Sequence, residues 1–142
     1  MPMIQDDDRQ AIRDRFQALT GPITLVTFTQ AVDPPPHTQE TIDVMDELAE
    51  LSDQLSVKAY DFQEDRDAVE KYHVDRIPAI ILEGAEDYGV RYYGFPGGYE
   101  FGALIEDIVN VSQGDSGLSD QTKERLATLS KPVHLRVFST PT

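Results

Sequence analysis

Tyr72-His73-Val74-Asp75-Arg76-Ile77-Pro78-Ala79-Ile80-Ile81-Leu82 is the stretch on which the reading of the whole chain turns. Asp65 to Tyr72 reads as a short helix with Asp65 as its cap. Pro78 cannot continue a helix, and the apolar run Pro78 to Leu82 behind it reads as a short, buried strand. Downstream, Gly84 to Asp87 is a hairpin turn and Tyr88 to Gly94 the return strand. A Gly-Pro loop, Gly94-Phe95-Pro96-Gly97-Gly98, leads to a helix that buries Phe101, Leu104, Ile105, Ile108 and Val111. Upstream lie a strand at Val57 to Phe62 and a long helix whose apolar stripe is Ile42, Met45, Leu48, Ala49, Leu51 and Leu55. Before that helix come the loop Gln30 to His37, broken by Pro34-Pro35-Pro36, and a β-branched strand, Ile23 to Thr29. A first helix, Asp6 to Leu19, is stopped by Gly21-Pro22.

The order is helix, βαβ, helix, β-hairpin, helix. A βαβ unit gives a parallel strand pair and a hairpin an antiparallel one. The expectation is an α/β chain with one mixed four-stranded sheet and helices on both faces, over residues 1–112. Residues 113–142 are expected to hold the linker Gln113 to Gly117, a helix from Leu118 to Leu129 and a strand from Val133 to Phe138.

With 142 residues, 39% of them hydrophobic and 27% charged, the chain has the balance of one globular domain. Its formal net charge of −14 argues against nucleic acid or an anionic membrane surface as a partner. No apolar run is long enough to span a bilayer. The acidic start, Gln5-Asp6-Asp7-Asp8, is unlike a secretory signal, so a cytoplasmic location is expected. Asp outnumbers Glu and Arg outnumbers Lys, a surface that suits either salt adaptation or an ordinary acidic cytosolic protein. The chain has no cysteine, which removes disulfides, thiolate ligands and thiol nucleophiles from it.

The tail repeats the head at an offset of 110 residues. Arg15-Phe16-Gln17-Ala18-Leu19-Thr20 matches Arg125-Leu126-Ala127-Thr128-Leu129-Ser130, and Pro22-Ile23-Thr24-Leu25 matches Pro132-Val133-His134-Leu135. Such self-similarity reads as one complete unit followed by the first helix and strand of another. The parent protein is then expected to continue past Thr142, or the sequence to be a trimmed piece of it. Val133, Leu135 and Val137 alternate with His134, Arg136 and Phe138, so the strand presents one apolar face. It is expected to be ordered only by a borrowed neighbour, either an edge of the first unit's sheet or the same segment of a second molecule across a twofold axis, a homodimer.

These residues resemble the thioredoxin arrangement. Tyr72 to Ile80 is similar to the family segment that leads into a cis-proline at Pro78. Asp87-Tyr88-Gly89-Val90-Arg91-Tyr92-Tyr93-Gly94-Phe95-Pro96-Gly97-Gly98-Tyr99-Glu100-Phe101, continued by Glu106 to Gly114, resembles the N-terminal unit of the two-unit, glutaredoxin-like protein disulfide oxidoreductases. Phe138-Ser139-Thr140-Pro141-Thr142 looks like the strand leading into that family's second Cys-x-x-Cys. The resemblance implies a cis Ile77-Pro78 bond, a redox role for the parent and a second thioredoxin-like unit as partner.

The chemistry of that family needs an attacking thiolate at a helix N-terminus and a resolving thiol. The corresponding loop here reads Pro34-Pro35-Pro36-His37-Thr38, and Thr27 stands where thioredoxins place a buried acid. No catalytic residue is assigned. Asp33, His37 and Thr38 form no triad signature, and no Gly-x-Ser-x-Gly elbow is present. His37, His73 and His134 lack metal-ligand spacing, so neither a metal nor a cofactor is expected. What the resemblance leaves is a groove for an extended polypeptide. Its walls are expected to be the Pro34–His37 loop, Ile77 and Pro78, and Phe95, Pro96, Gly97 and Gly98, with the backbone of Ile77 free to pair with the peptide. Three readings stay open: a redox-inactive scaffold or substrate-docking half, an active oxidoreductase through cysteines beyond Thr142, and an interaction or dimerisation module with no redox role.

Overall fold

The computed structural model describes residues 2–140. Among them four strands form one mixed sheet in the order β2-β1-β3-β4. Strand β1 (Ile23–Thr29) pairs parallel with β2 (Leu55–Asp61) and antiparallel with β3 (Ala79–Glu83), which pairs antiparallel with β4 (Arg91–Tyr93). Five helices accompany the sheet: α1 (Asp6–Phe16), α2 (Thr38–Ala49), α3 (Arg66–Tyr72), α4 (Tyr99–Gln113) and α5 (Asp120–Ala127). This is the expected α/β architecture.

The sheet divides the core in two because successive side chains of a strand face opposite ways. Ile23 and Leu25 of β1, with Ile80 and Leu82 of β3, meet Val44, Met45 and Leu48 of α2 and Leu104 and Ile108 of α4 on one face. Val26, Phe28, Ala79 and Ile81 meet Val69 and Tyr72 of α3 on the other. Central β1 and β3 are sealed on both sides, which is why both read as near-continuous apolar runs. Helix α1 joins the first face through Ile12 and Phe16.

Several boundaries differ from the sequence reading. Leu55 is the first residue of β2 and not part of the α2 stripe; Leu51 and Leu55 donate their N–H groups to Leu48 and Ser52 in consecutive tight turns that end the helix. Strand β4 starts only at Arg91, because Gly89 at φ 87° turns the chain and gives its N–H to Asp87 Oδ1. Asp65 occupies the N-cap position of α3, but its carboxylate accepts the N–H of Asp61 instead of capping the helix. Helix α5 is shorter than expected, capped by Ser119, and buries none of its residues. Val133–Phe138 forms no strand among the described residues. Pro141 and Thr142, the end of that expected segment, lie outside the described residues.

Candidate functional site

Strand β1 delivers the chain to a loop at the mouth of α2, where the sheet's central strand and a helix N-terminus converge. Asp33 and His37 hold left-handed φ values of 53° and 63°. Gln30 Nε2 reaches back to the carbonyl of Val32 at 2.5 Å, and Thr38 Oγ1 donates to the Pro35 carbonyl at 2.7 Å. Thr41 Oγ1 donates to the carbonyl of His37, also at 2.7 Å. These side chains do the work that backbone pairing does elsewhere, because three consecutive prolines supply no N–H. Pro34, Pro36 and His37 are exposed, and Pro35 and Thr38 half-buried. Ala31 anchors the loop to β2 through its N–H to Asp61 Oδ2. That bond, with those from Gln63 and Glu64, holds the Asp61 carboxyl below the usual carboxylate range.

The Ile77-Pro78 peptide is cis. Ile77 is half-buried, and neither its N–H nor its carbonyl bonds to another described residue. Pro78 is buried, and its carbonyl accepts the N–H of Gly94 at 2.8 Å, which ties the start of β3 to the Gly94–Gly98 loop. His37 comes to 6.0 Å of the Phe95 ring, so the Pro34–Thr38 loop and the Phe95 loop meet there. On the outer side Arg76 lies over the Tyr93 ring at 5.3 Å and forms an ion pair with Asp75, which keeps that carboxyl below its usual range. Thr27 is buried in the middle of β1, opposite Ala59 and Ile80.

The expected groove residues are not gathered around one cavity. Phe95, Pro96, Gly97 and Gly98 line a space of about 330 Å³ together with Met3, Ile4 and Val44. Ile77 and Pro78 lie outside it, joined to the loop by the Gly94 bond. The sequence reading missed why that space is closed on one side: the N-terminal arm lies against α2, with the N–H groups of Met3 and Ile4 bonded to the two carboxylate oxygens of Glu47. The apolar pair Met3-Ile4, just before the acidic run Asp6 to Asp8, is the signal the sequence offers. On the other flank of the loop a shallow groove of about 430 Å³ runs along the edge of β2, with Pro34, Ile42 and Ala59 among its walls.

A proline-rich loop follows β1, and the cis-proline opens β3 at the same end of the sheet, where Phe28 pairs with Ala79. None of residues 34–38 is a cysteine. This is a thioredoxin-like unit. It superposes on a protein disulfide oxidoreductase from Aeropyrum pernix K1 with a TM-score of 0.76 and 28% identity, over 88% of this chain and 55% of that one. It also matches the NTD_N/C domain of alkylhydroperoxide reductase AhpF from Enterococcus faecalis V583, with a TM-score of 0.79 and 22% identity over 90% of this chain and 62% of that one. Thioredoxin-2, a component of the malaria parasite protein secretion machinery, matches with a TM-score of 0.51 and 18% identity over 61% of this chain and 82% of that one. The thioredoxin-like unit thus spans little more than half of the first two relatives. No protein-family model and no curated protein matches the sequence.

In thioredoxin-like units that exchange disulfides the electrons travel through sulfur. Here Pro34 to Thr38 offer hydroxyl, imidazole and pyrrolidine groups, none of which forms a mixed disulfide. Among the described residues no cluster of His, Asp and Glu has the geometry of a metal site, and no helix is long and apolar enough to cross a membrane.

Proposed function

We propose that this chain is the N-terminal, redox-inactive half of a cytoplasmic protein of the disulfide oxidoreductase type, serving as a scaffold and substrate-docking unit for a catalytic partner unit. The observation that carries this reading is the pairing of an intact thioredoxin-like frame with a loop, Pro34 to Thr38, that holds no sulfur. The docking role rests on Ile77, whose N–H and carbonyl bond to no other described residue, next to the Pro78 that accepts the N–H of Gly94. A peptide in extended conformation can bond to both and add to the frame as a short strand. The catalytic role of a further unit is supported by the share of the disulfide oxidoreductase that this chain spans, 55%.

The test is a paired measurement on the chain. In an insulin-reduction assay with dithiothreitol as reductant it gives no rate above the uncatalysed one. In amide NMR titrations with unfolded, cysteine-blocked polypeptide, the shifts gather at Ile77, Gly94 and Phe95. Turnover dependent on the chain refutes redox inactivity. Binding with no shift at those three residues refutes the docking role.

A further inference from the structure

The space of about 330 Å³ beside the Phe95 loop is one half of a longer groove. A second space, of about 400 Å³, lies between α1 and α4, with Ala11 and Ile12 on one wall and Gly102 and Ile105 on the other. Asp8 and Phe101 line both spaces, which makes them continuous. From the first space to the second the lining residues rise in number along α1 and along α4 together, so the two helices run side by side in the same direction. At the far end the Arg15 guanidinium ties them through two bonds to the Glu106 carboxylate, of 2.8 and 2.7 Å. Both walls lie within residues 1–112.

The groove is apolar at its floor. Ile4, Ile12 and Ile105 are buried, and Phe101 is half-buried between the two spaces. Its rim is low at Gly102, where an added Cβ would meet no atom within 4 Å. One charge in it is uncommitted. Arg15 and Glu106 bind each other, whereas Asp8, exposed at the midpoint, has no hydrogen bond or ion pair to any described residue.

We propose that this groove docks a basic amphipathic helix of a partner protein. Two large apolar side chains of that helix, seven positions apart, enter the two spaces, and a Lys or Arg four positions after the first meets Asp8. The spacing selects a helix. The walls advance by about five residues of α4 and about seven of α1 between the spaces, roughly 8–10 Å at the helical rise. Positions i and i+7 of a helix share a face and lie about 10 Å apart. Same-face positions of an extended peptide fall near 7 or 13 Å instead. A trough between two aligned helices is also the surface into which the side-chain ridge of a third can pack. The sign of the partner's charge follows from Asp8 and from the net charge of −14, which steers a cationic segment toward this chain. Ile77 lies outside both spaces, so this inference does not rest on the peptide-docking role.

The test uses a synthetic helical peptide of about 18 residues, with Leu at two positions seven apart and Lys four after the first, followed by fluorescence anisotropy on the chain. Replacing that Lys by Glu should weaken binding at least about tenfold. Asp8→Asn should weaken the Lys peptide several-fold and remove its advantage over a peptide with Gln at that position. Gly102→Leu fills the second space from an exposed helical position; it should weaken binding about tenfold with the chain's circular dichroism unchanged. Amide shifts should gather at Ala11, Gly102 and Ile105, and should persist whether or not unfolded polypeptide docks at Ile77. A Lys peptide that binds no tighter than its scrambled isomer overturns the proposal, because attraction to the overall charge then suffices. Affinity unchanged by both Asp8→Asn and Gly102→Leu overturns it, as does binding with no gain of helicity in the peptide. Absence of binding up to millimolar concentration overturns it as well.

Discussion

Tyr92 passes its hydroxyl to the carboxylate of Asp107, from a position at the edge of the core where its ring is 9% exposed. Burial first, and then the Asp107 hydrogen bond, push the phenol well above its ordinary pKa. A raised folded-state value favours the neutral form, so this contribution is complete below the unfolded-state pKa near 10 and is lost as pH rises through and beyond it. Tyr92→Phe should cost about 2 kcal/mol at neutral pH, because a hydrogen bond to a charged acceptor goes and Asp107 is left without its partner. Denaturant melts from pH 8 to 11 should show a shallower loss of stability in that variant than in the unaltered chain; equal slopes would assign the alkaline loss to other groups, Tyr72 first among them. Gly98 makes a second residue-scale case. It precedes α4 at φ 61° and ψ −132°, a region that side chains reach only with strain. No atom stands in the way of a Cβ there, so Gly98→Ala should destabilise by about 1–2 kcal/mol through backbone strain alone. A denaturation midpoint unchanged by that substitution would show that the loop relaxes instead.

Between elements, Arg91 of β4 ties the β3–β4 hairpin to the end of α3. Its guanidinium makes two bonds to Asp87 at the hairpin, of 2.7 and 2.6 Å, and two to the carbonyl of Tyr72 at the end of α3, of 3.3 and 3.2 Å. Both side chains of the ion pair are mostly buried, at 16 and 30% exposure. Arg91 holds the Asp87 carboxyl below its ordinary range. A depressed folded-state pKa means that this stability is present above the unfolded-state value near 4 and is lost as pH falls below it. Arg91→Met should cost about 2 kcal/mol at pH 7. Asp87→Asn should lose part of the stability and, with it, part of the steepness of acid unfolding below about pH 4; an acid limb identical to that of the unaltered chain would contradict the linkage.

The same hairpin shows what sequence can and cannot reveal. Strand β1 is legible to the residue because burial on both faces imposes an apolar run. The start of β4 is not legible, because Tyr88 and Val90 have strand-forming chemistry and are excluded only by the Gly89 turn that Asp87 caps. Leu55 was misplaced for a related reason: it continues the spacing of Leu48 and Leu51, and only the turn bonds separate helix from strand. In the site, the missing sulfur could be read directly. The Glu47 clasp on the N-terminal arm could not, since it joins residues more than forty positions apart.

At the scale of the whole molecule the dominant quantity is charge. The formal net charge of −14 is carried by a body more acidic than that figure, since the tail from residue 129 is basic. In the body, Arg9, Arg15, Arg76 and Arg91 are each committed to neighbouring carboxylates. Lys58, Arg66 and Lys71 instead lie over Tyr60, Phe62 and Tyr72. Acidic residues outnumber Lys and Arg 26 to 12, so carboxylate repulsion opposes the compact state. Salt shortens the range of that repulsion from about 10 Å at 0.1 M to about 3 Å at 1 M. The melting temperature should rise with KCl over this interval. A flat curve would show that the acidic surface does not limit stability and would count against salt adaptation.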